Sequence, residues 1–459
     1  MARGKKKETL TPEERLQAAL VPESEQPYKV PENWCWTALK HISSHISDGS
    51  HNPPKDSGKG IPLLSATNIR DHLIDIDSAV RWITEDQWTI ENQRTKIETN
   101  DVLLTIVASI GRTAVVKNEQ FALQRSVAVI KPKINSEFLS YYFESPYIQQ
   151  FMLDNAKGTA QKGFYLNSLV ELFCCVPPLA EQQRIVDRIE SLFAKLDEAK
   201  QNVQDALDNF ETRKAAILHR AFTGELTAQW RKEHGVGMES WEARTSTQLF
   251  EYVTSGSRGW AKYYADNGDI FVRMGNLNHG TIELDLSDIQ YVNLPGQTEG
   301  QRTKLQKNDI LISITADIGM VGIVREMEQN AYINQHIALA RPTAKDNAEF
   351  LAWYLISDVG LQQMRNKQRG ATKIGLGLDD IRSLELLIPT REEQDEVVYI
   401  LDNLLANEQQ AKEVAEGVLE QIDLIKKAIL ARAFRGELGT NDPSEESAQE
   451  LIKNFIFKM

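Results

Sequence analysis

At 459 residues and 41% hydrophobic content, the chain is long enough for roughly two to four domains with real cores. A formal net charge of −13 excludes a uniformly basic surface, and three cysteines, Cys35 and the adjacent Cys174 and Cys175, exclude a disulfide framework and lack zinc-ligand spacing. No apolar run reaches membrane-spanning length, and the basic start MARGKKKETL has no apolar signal core, so a cytoplasmic protein is expected.

Residues 1–30 form a charged N-terminal arm with one short helix from Pro12, capped by Thr11. A globular segment follows at 31–176. IPLLSATNI, DVLLTIVASI, RTAVVK and SVAVIKP read as strands, and EFLSYYFESPYIQQFML as helix interrupted at Pro146. Residues 177–223 read as one long central helix with apolar residues stepping four and three: Ile185, Ile189, Leu192, Leu196, Val203, Phe210 and Ile217, with Arg213 interrupting. Residues 224–237 are a polar linker, opened by Gly224.

The pattern then repeats. QRTKIETNDVLLTIVASIG (93–111) matches QRTKLQKNDILISITADIG (301–319), AILHRAFTGEL matches AILARAFRGEL, and PPLAEQQ (177–183) aligns with IPTREEQ (388–394). A second globular segment occupies 238–387, and a distal helix 388–438 carries Val397, Leu401, Leu404, Val418, Ile422, Ile425 and Ile429, with Glu408 interrupting. An acidic tail, 439–459, closes the chain.

Each apolar seam needs a partner, and the other seam supplies it. A two-fold relation between the repeats sets the helices antiparallel and leaves neither end unpaired. The expected fold is therefore mixed α/β: two homologous globular heads separated by a long antiparallel two-helix coiled coil, in a pseudo-two-fold internal repeat. About 40 residues at 1.5 Å each give a spacer of ~60 Å.

The heads share apolar stretches and differ in polar loops: SDGSHNPPKDSGKG stands against TSGSRGWAKYYADNG, and GTAQKGFYLNS against GATKIGLGLDD. Those loops supply residues suited to phosphates and base edges. In the first head they are Ser50, His51, Lys55, Ser65, Asn68, Arg70, Arg94, Lys96, Gln124, Arg125, Gln161 and Lys162. In the second they are Ser257, Arg258, Lys262, Tyr263, Tyr264, Arg273, Asn276, Arg302, Lys304, Asn334, Gln335, His336 and Lys373. Asn68 and Asn276 hold matched positions after a strand, where a turn cap competes with base contact. Arg94 and Arg302, identical in both heads, suit phosphate contact or structure better than discrimination.

Catalytic patterns are weaker. Asn52-Pro53-Pro54-Lys55 lacks the aromatic residue with which an amino-group DNA methyltransferase stacks a flipped base, and no Gly-rich methyl-donor loop follows a strand nearby. His41, His45 and His51 read as surface histidines. No catalytic site and no bound metal or cofactor are expected.

The duplicated order, with NDVLLTI and NDILISI strands, EQQRIV after paired prolines, and KAAILHRAF and KKAILARAF each followed by GEL, resembles the specificity subunit of type I restriction-modification systems. The resemblance runs from about Pro31 to Leu438. It implies a non-catalytic subunit with two target-recognition domains, each reading one half of a bipartite, asymmetric duplex DNA site. It also implies two methylation subunits docked on the scaffold, with restriction subunits beyond them. Those partners would use S-adenosylmethionine, ATP and magnesium for adenine N6 methylation or cleavage. The alternatives are a coiled-coil adaptor without DNA readout and a self-contained DNA methyltransferase.

Overall fold

The computed structural model describes residues 11–457, apart from 71, 159–160, 296–301 and 370–374. It divides into two units, Met1–Val203 with Gly417–Met459, and Gln204–Glu416. Each unit holds one head, the start of the long helix that follows that head, and the end of the other long helix.

The head of the first unit is built on a four-stranded antiparallel sheet in the order Ser43–Asp48, Val127–Pro132, Val102–Thr105, Thr113–Val115. The second head repeats it with Phe250–Ser255, Ile337–Pro342, Ile310–Ser313 and Val321–Ile323. The two inner strands of each sheet, Val127–Pro132 with Val102–Thr105 and Ile337–Pro342 with Ile310–Ser313, are mainly apolar and buried because both faces of the sheet are covered there. Side chains alternate along a strand, so Val102 and Leu104 join the helix-covered core while Leu103 joins a second core under a smaller sheet. Ile310 and Ile312 separate from Leu311 in the same way.

Two helices cover one face of each sheet: Ser136–Glu144 with Pro146–Asp154, and Ala348–Ile356 with Asp358–Asn366. Pro146 splits the first pair, as the first residue of a new helix. The smaller sheets each contain one parallel pairing, Leu63–Leu64 on Ala122–Leu123 and Ile270–Val272 on Ala331–Ile333.

The central helix carries one irregularity, at Asn209. It runs Leu179–Asp208 and continues as Phe210–Phe222. Asn209 turns its side chain back to donate to Asp205 O at 2.7 Å, competing with the helix ladder. The distal helix, Arg391–Ala433, is continuous for 43 residues.

Within each unit the helix segments pair antiparallel. In the first, Lys200 reaches Asp423 at 3.4 Å while Lys426 bonds Asp197, so one index falls as the other rises. In the second, Lys412 lies 5.0 Å over the Phe210 ring. Ile185, Ile189, Phe210, Val397, Leu401 and Ile422 are buried, and Leu192, Leu196, Val203, Ile217, Leu404, Val418 and Ile429 are partly buried. Ile425 departs from the expected seam, with 45% of its surface exposed. Lys426 faces inward instead, its ammonium 5.0 Å over the Phe193 ring and its stem covering apolar surface.

The ends of the long helices are built into the heads. Phe434 packs on Phe138 and Tyr142 at ring distances of 5.3 and 5.1 Å, and Phe222 packs on Phe350 and Tyr354 at the same two distances. Each head therefore takes a core phenylalanine from the long helix that follows the other head. That is why AILHRAF and AILARAF match.

One expected alignment needs correction. Gln182 Nε2 donates to Pro177 O and its Oε1 accepts from Asn135 N–H; Gln394 makes the same bonds to Pro389 and Asn347. The equivalent of Glu181 is thus Glu393, one residue later than PPLAEQQ over IPTREEQ implies.

Among the described residues, 11–30 of the arm and 439–457 of the tail belong to the first unit. Pro12–Ala19 is a capped helix, and the tail forms Ala448–Phe457 with Ala448 and Ile452 buried in the head's core. Arg184 clamps Glu445 through two bonds of 2.8 and 2.9 Å.

Candidate nucleic-acid interface

The polar loops meet at corresponding places in the two heads. Ser50 bridges Gln124 in parallel, and Ser257 bridges Asn334 in the same sense. Beside them, Val107 bridges Gly163 and Thr315 bridges Gly375. Small residues make the approach possible: a Cβ on Gly49 would lie 2.3 Å from Leu123 O, and one on Gly256 2.2 Å from Asn334 O.

In the first head, this arrangement gathers Ser50, Ser65, Gln124, Arg125, Gln161 and Lys162. Gln124 N–H donates to Leu64 O, Arg125 N–H to Ser50 O, and Ala108 N–H to Lys162 O at 3.2 Å. Ala108 adopts φ 66°, and its counterpart Ala316 adopts φ 60°. An alanine in the left-handed region is strained, and its recurrence in both heads marks this loop as one the fold maintains. The matched sequence SIG and DIG was the available signal for it.

Asp48 organises the neighbouring loop. Its carboxylate is largely buried, takes His51 Nε2 at 2.7 Å on one oxygen and the Arg94 guanidinium on the other. Arg94 thus has a structural partner while half of its side chain stays exposed. Asp56 accepts from Trp82 N–H and Gly58 N–H, which holds its carboxyl below the usual carboxylate range and shapes the loop that carries Lys55. Arg70 is paired with Asp75.

Asn68 and Asn276 are not available to a base. Both are 4% exposed, and both cap a short turn of helix. Asn68 accepts from Ser65 N–H and donates to Asp75 O and Ser78 Oγ. Asn276 accepts from Arg273 N–H and donates to Asp285 O and Asp288 O. Their identity in both heads reflects that shared backbone task.

In the second head, Ser257 is buried, and Arg302 Nη2 reaches its Oγ at 3.4 Å. Arg273 pairs with Asp288 at 3.0 Å. Trp260 is a buried anchor against Phe271 and Tyr332, which leaves Tyr263 partly buried under Lys262 and Tyr264 46% exposed. The turn at Asn334 holds a chain of side-chain bonds: Gln335 Nε2 to His336 Nε2 at 2.8 Å, and His336 Nδ1 to Thr315 Oγ1 at 2.6 Å. Thr315 was not among the expected residues. Lys373 lies outside the described residues.

Lys55, Lys96, Arg125, Lys162, Arg258 and Lys304 are exposed and hold no ion pair among the described residues. Cations left free in this way can neutralise phosphates, whatever the net charge of the chain. Among the described residues, no helix is long and apolar enough to cross a membrane.

Comparison with known proteins gives a consistent picture. The type I restriction modification DNA specificity domain matches residues 54–207 and again 238–416. The EcoBI specificity subunit of Escherichia coli is 26% identical over 325 residues, 68% of each chain. The EcoKI specificity subunit of Escherichia coli strain K12 is 24% identical over 436 residues, 89% of this chain and 90% of the relative. Among solved structures, the HsdS subunit from Thermoanaerobacter tengcongensis shares the fold, with a TM-score of 0.60 at 19% identity over 90% of this chain and all of that one. A chain from a study of complex assembly and conformational transition in the type I R-M system gives 0.65 at 18% identity, again over 90% of this chain and all of that one.

Proposed function

The chain belongs to the type I restriction-modification DNA specificity family, and on that premise we propose that each head reads one half of a bipartite, asymmetric site in duplex DNA. The chain itself is the sequence-specificity subunit, not a catalyst, and works with DNA and with the other subunits of a type I system. One observation carries the division of labour between the heads. The Ser50–Gln124 and Ser257–Asn334 bridges give two loops the same backbone, and the side chains on that backbone differ. Equal scaffolds with unequal polar groups are what two readers of different sequences need.

The long helices set the distance between the half-sites. A helix of 43 residues is ~65 Å long at 1.5 Å per residue, a length of roughly 19 base pairs at 3.4 Å each, and bases between the heads go unread. The repeated scaffold offers matched surfaces to two methylation subunits, and restriction subunits attach through these. In this reading the partners bring S-adenosylmethionine for adenine N6 methylation, and ATP and magnesium for cleavage, in the cytoplasm where the DNA is.

The test is to express the chain with its methylation partner and sequence modified adenines across the genome. A split, asymmetric motif is expected. A continuous motif, or none above background, would exclude this reading.

A further inference from the structure

Arg125 and Gln335 occupy one place in the two heads. Each is the first central residue of a tight turn, closed by Val127 N–H to Gln124 O at 3.1 Å in one head and by Ile337 N–H to Asn334 O at 3.2 Å in the other. The next residue is pinned identically: Ser126 O accepts from Ile106 N–H and His336 O from Ile314 N–H, both at 2.9 Å. The backbone is shared, and only the presented group changes.

The two groups differ in what they offer. Arg125 is exposed, and its guanidinium has no partner among the described residues. It presents donors only, which match the N7 and O6 acceptors on the major-groove edge of guanine. Gln335 is partly buried and held by its neighbour. An amide nitrogen can only donate, so His336 Nε2 accepts from Gln335 Nε2, and the ring proton sits on Nδ1 and is donated to Thr315 Oγ1. Gln335 keeps one N–H and its Oε1 unspent. That pair of one donor and one acceptor matches N7 and the N6 amino group of adenine. An amide can turn over and a guanidinium fork cannot, so only the second head needs the ring behind its reader. In the first head the corresponding Ser126 Oγ instead accepts from Ala66 N–H at 3.1 Å.

We propose that this turn is a base-reading position in both heads, with Arg125 selecting guanine in one half-site and Gln335 selecting adenine in the other, and with His336 and Thr315 as positioning residues that fix the amide. The proposal rests on the reading of the chain as a DNA specificity subunit with one head per half-site.

The experiment uses the full chain bound to its methylation partner, with motifs recovered from modified adenines and affinities measured on duplexes carrying single base-pair changes. For the wild type, one half-site should require guanine and the other adenine at one position each. Arg125→Gln should change that guanine to adenine and leave the other half intact, and Gln335→Arg should do the reverse in the other half. Arg125→Lys, which keeps a donor, should retain guanine. Thr315→Val should cost roughly ten- to hundredfold in discrimination at the Gln335 position alone, and Thr315→Ser should restore it.

A wild type that shows no split motif overturns the one-head-per-half-site reading, and this proposal with it. A split wild-type motif with unchanged bases in both exchange variants overturns the proposal alone. So does a change spread over both halves, or loss of a whole half-site by a variant that melts at the wild-type temperature.

Discussion

Arg213 and Glu408, the residues that interrupt the two apolar seams, are each other's partners: Arg213 Nε lies 2.9 Å from Glu408 Oε2. Arg213 also donates to Ala206 O, and its guanidinium stands 5.9 Å over the Phe210 ring, with the Lys412 ammonium 5.0 Å over the same ring. The interruption is thus a polar clasp over a buried aromatic ring. With 41% and 23% of the two side chains exposed, the pair is worth no more than about 1 kcal/mol. Glu408→Ala should lower the melting temperature slightly, and the double change to Arg213→Leu and Glu408→Leu should restore or raise it, since apolar replacement of a pair is often neutral or better. A double variant less stable than Glu408→Ala in calorimetry would contradict this.

A stronger pair lies at the start of the distal helix. Glu393 is fully buried and takes the Arg231 guanidinium and Thr227 Oγ1, while its counterpart Glu181 is served by neutral donors, Trp34 Nε1 at 2.7 Å and Asn441 Nδ2 at 2.9 Å. Arg231→Met strands a buried carboxylate and should cost about 3–5 kcal/mol. Asn441→Ala removes one neutral donor of several and should cost about 1 kcal/mol. Hydrogen exchange at Ile337–Pro342 and at Val127–Pro132 would separate the two losses; equal, small effects would contradict the contrast.

The tail should respond to acid. The Arg184 guanidinium holds the Glu445 carboxyl below the ordinary glutamate range. A depressed folded-state value means that the carboxylate stabilises fully above the unfolded value and loses its contribution as pH falls through the folded one. The Ala448–Phe457 amides should therefore exchange faster as pH drops below the usual glutamate range, after correction for intrinsic exchange. Glu445→Gln should remove that dependence and cost about 0–1 kcal/mol at neutral pH. Identical pH profiles for both proteins would rule the clasp out.

Four residues inserted into each long helix add ~6 Å, and a four-residue step is one that a heptad seam absorbs by local unwinding. The unread spacer in the methylated motif should lengthen by roughly one or two base pairs. An unchanged spacer would mean that the helices do not set it.

The duplication and the seams were legible because apolar spacing and repeated strings record burial directly. Side-chain detail was less so. A seam counted in heptads selects Ile425, yet a helix turns every 3.6 residues and brings Lys426 inward instead. Asn209 makes the central helix irregular at one residue, with a local side-chain bond that apolar periodicity ignores. The tail was read by its charge, although Leu451, Ile452, Phe455 and Ile456 fall at helical spacing and pack on the first head. Asn68 and Asn276 show the limit on site residues: one sequence places an asparagine after a strand, and only coordinates show its amide spent on the chain. Thr315 was missed because its role passes through His336 and is visible only in three dimensions.

The most direct test of the whole account is to replace the second head's loops around Ser257–Tyr264 and Asn334–His336 with those of another family member, co-express the chain with its methylation partner, and sequence the modified adenines. The motif should change in one half, with the other half and the spacer unchanged. Simultaneous change in both halves would contradict it.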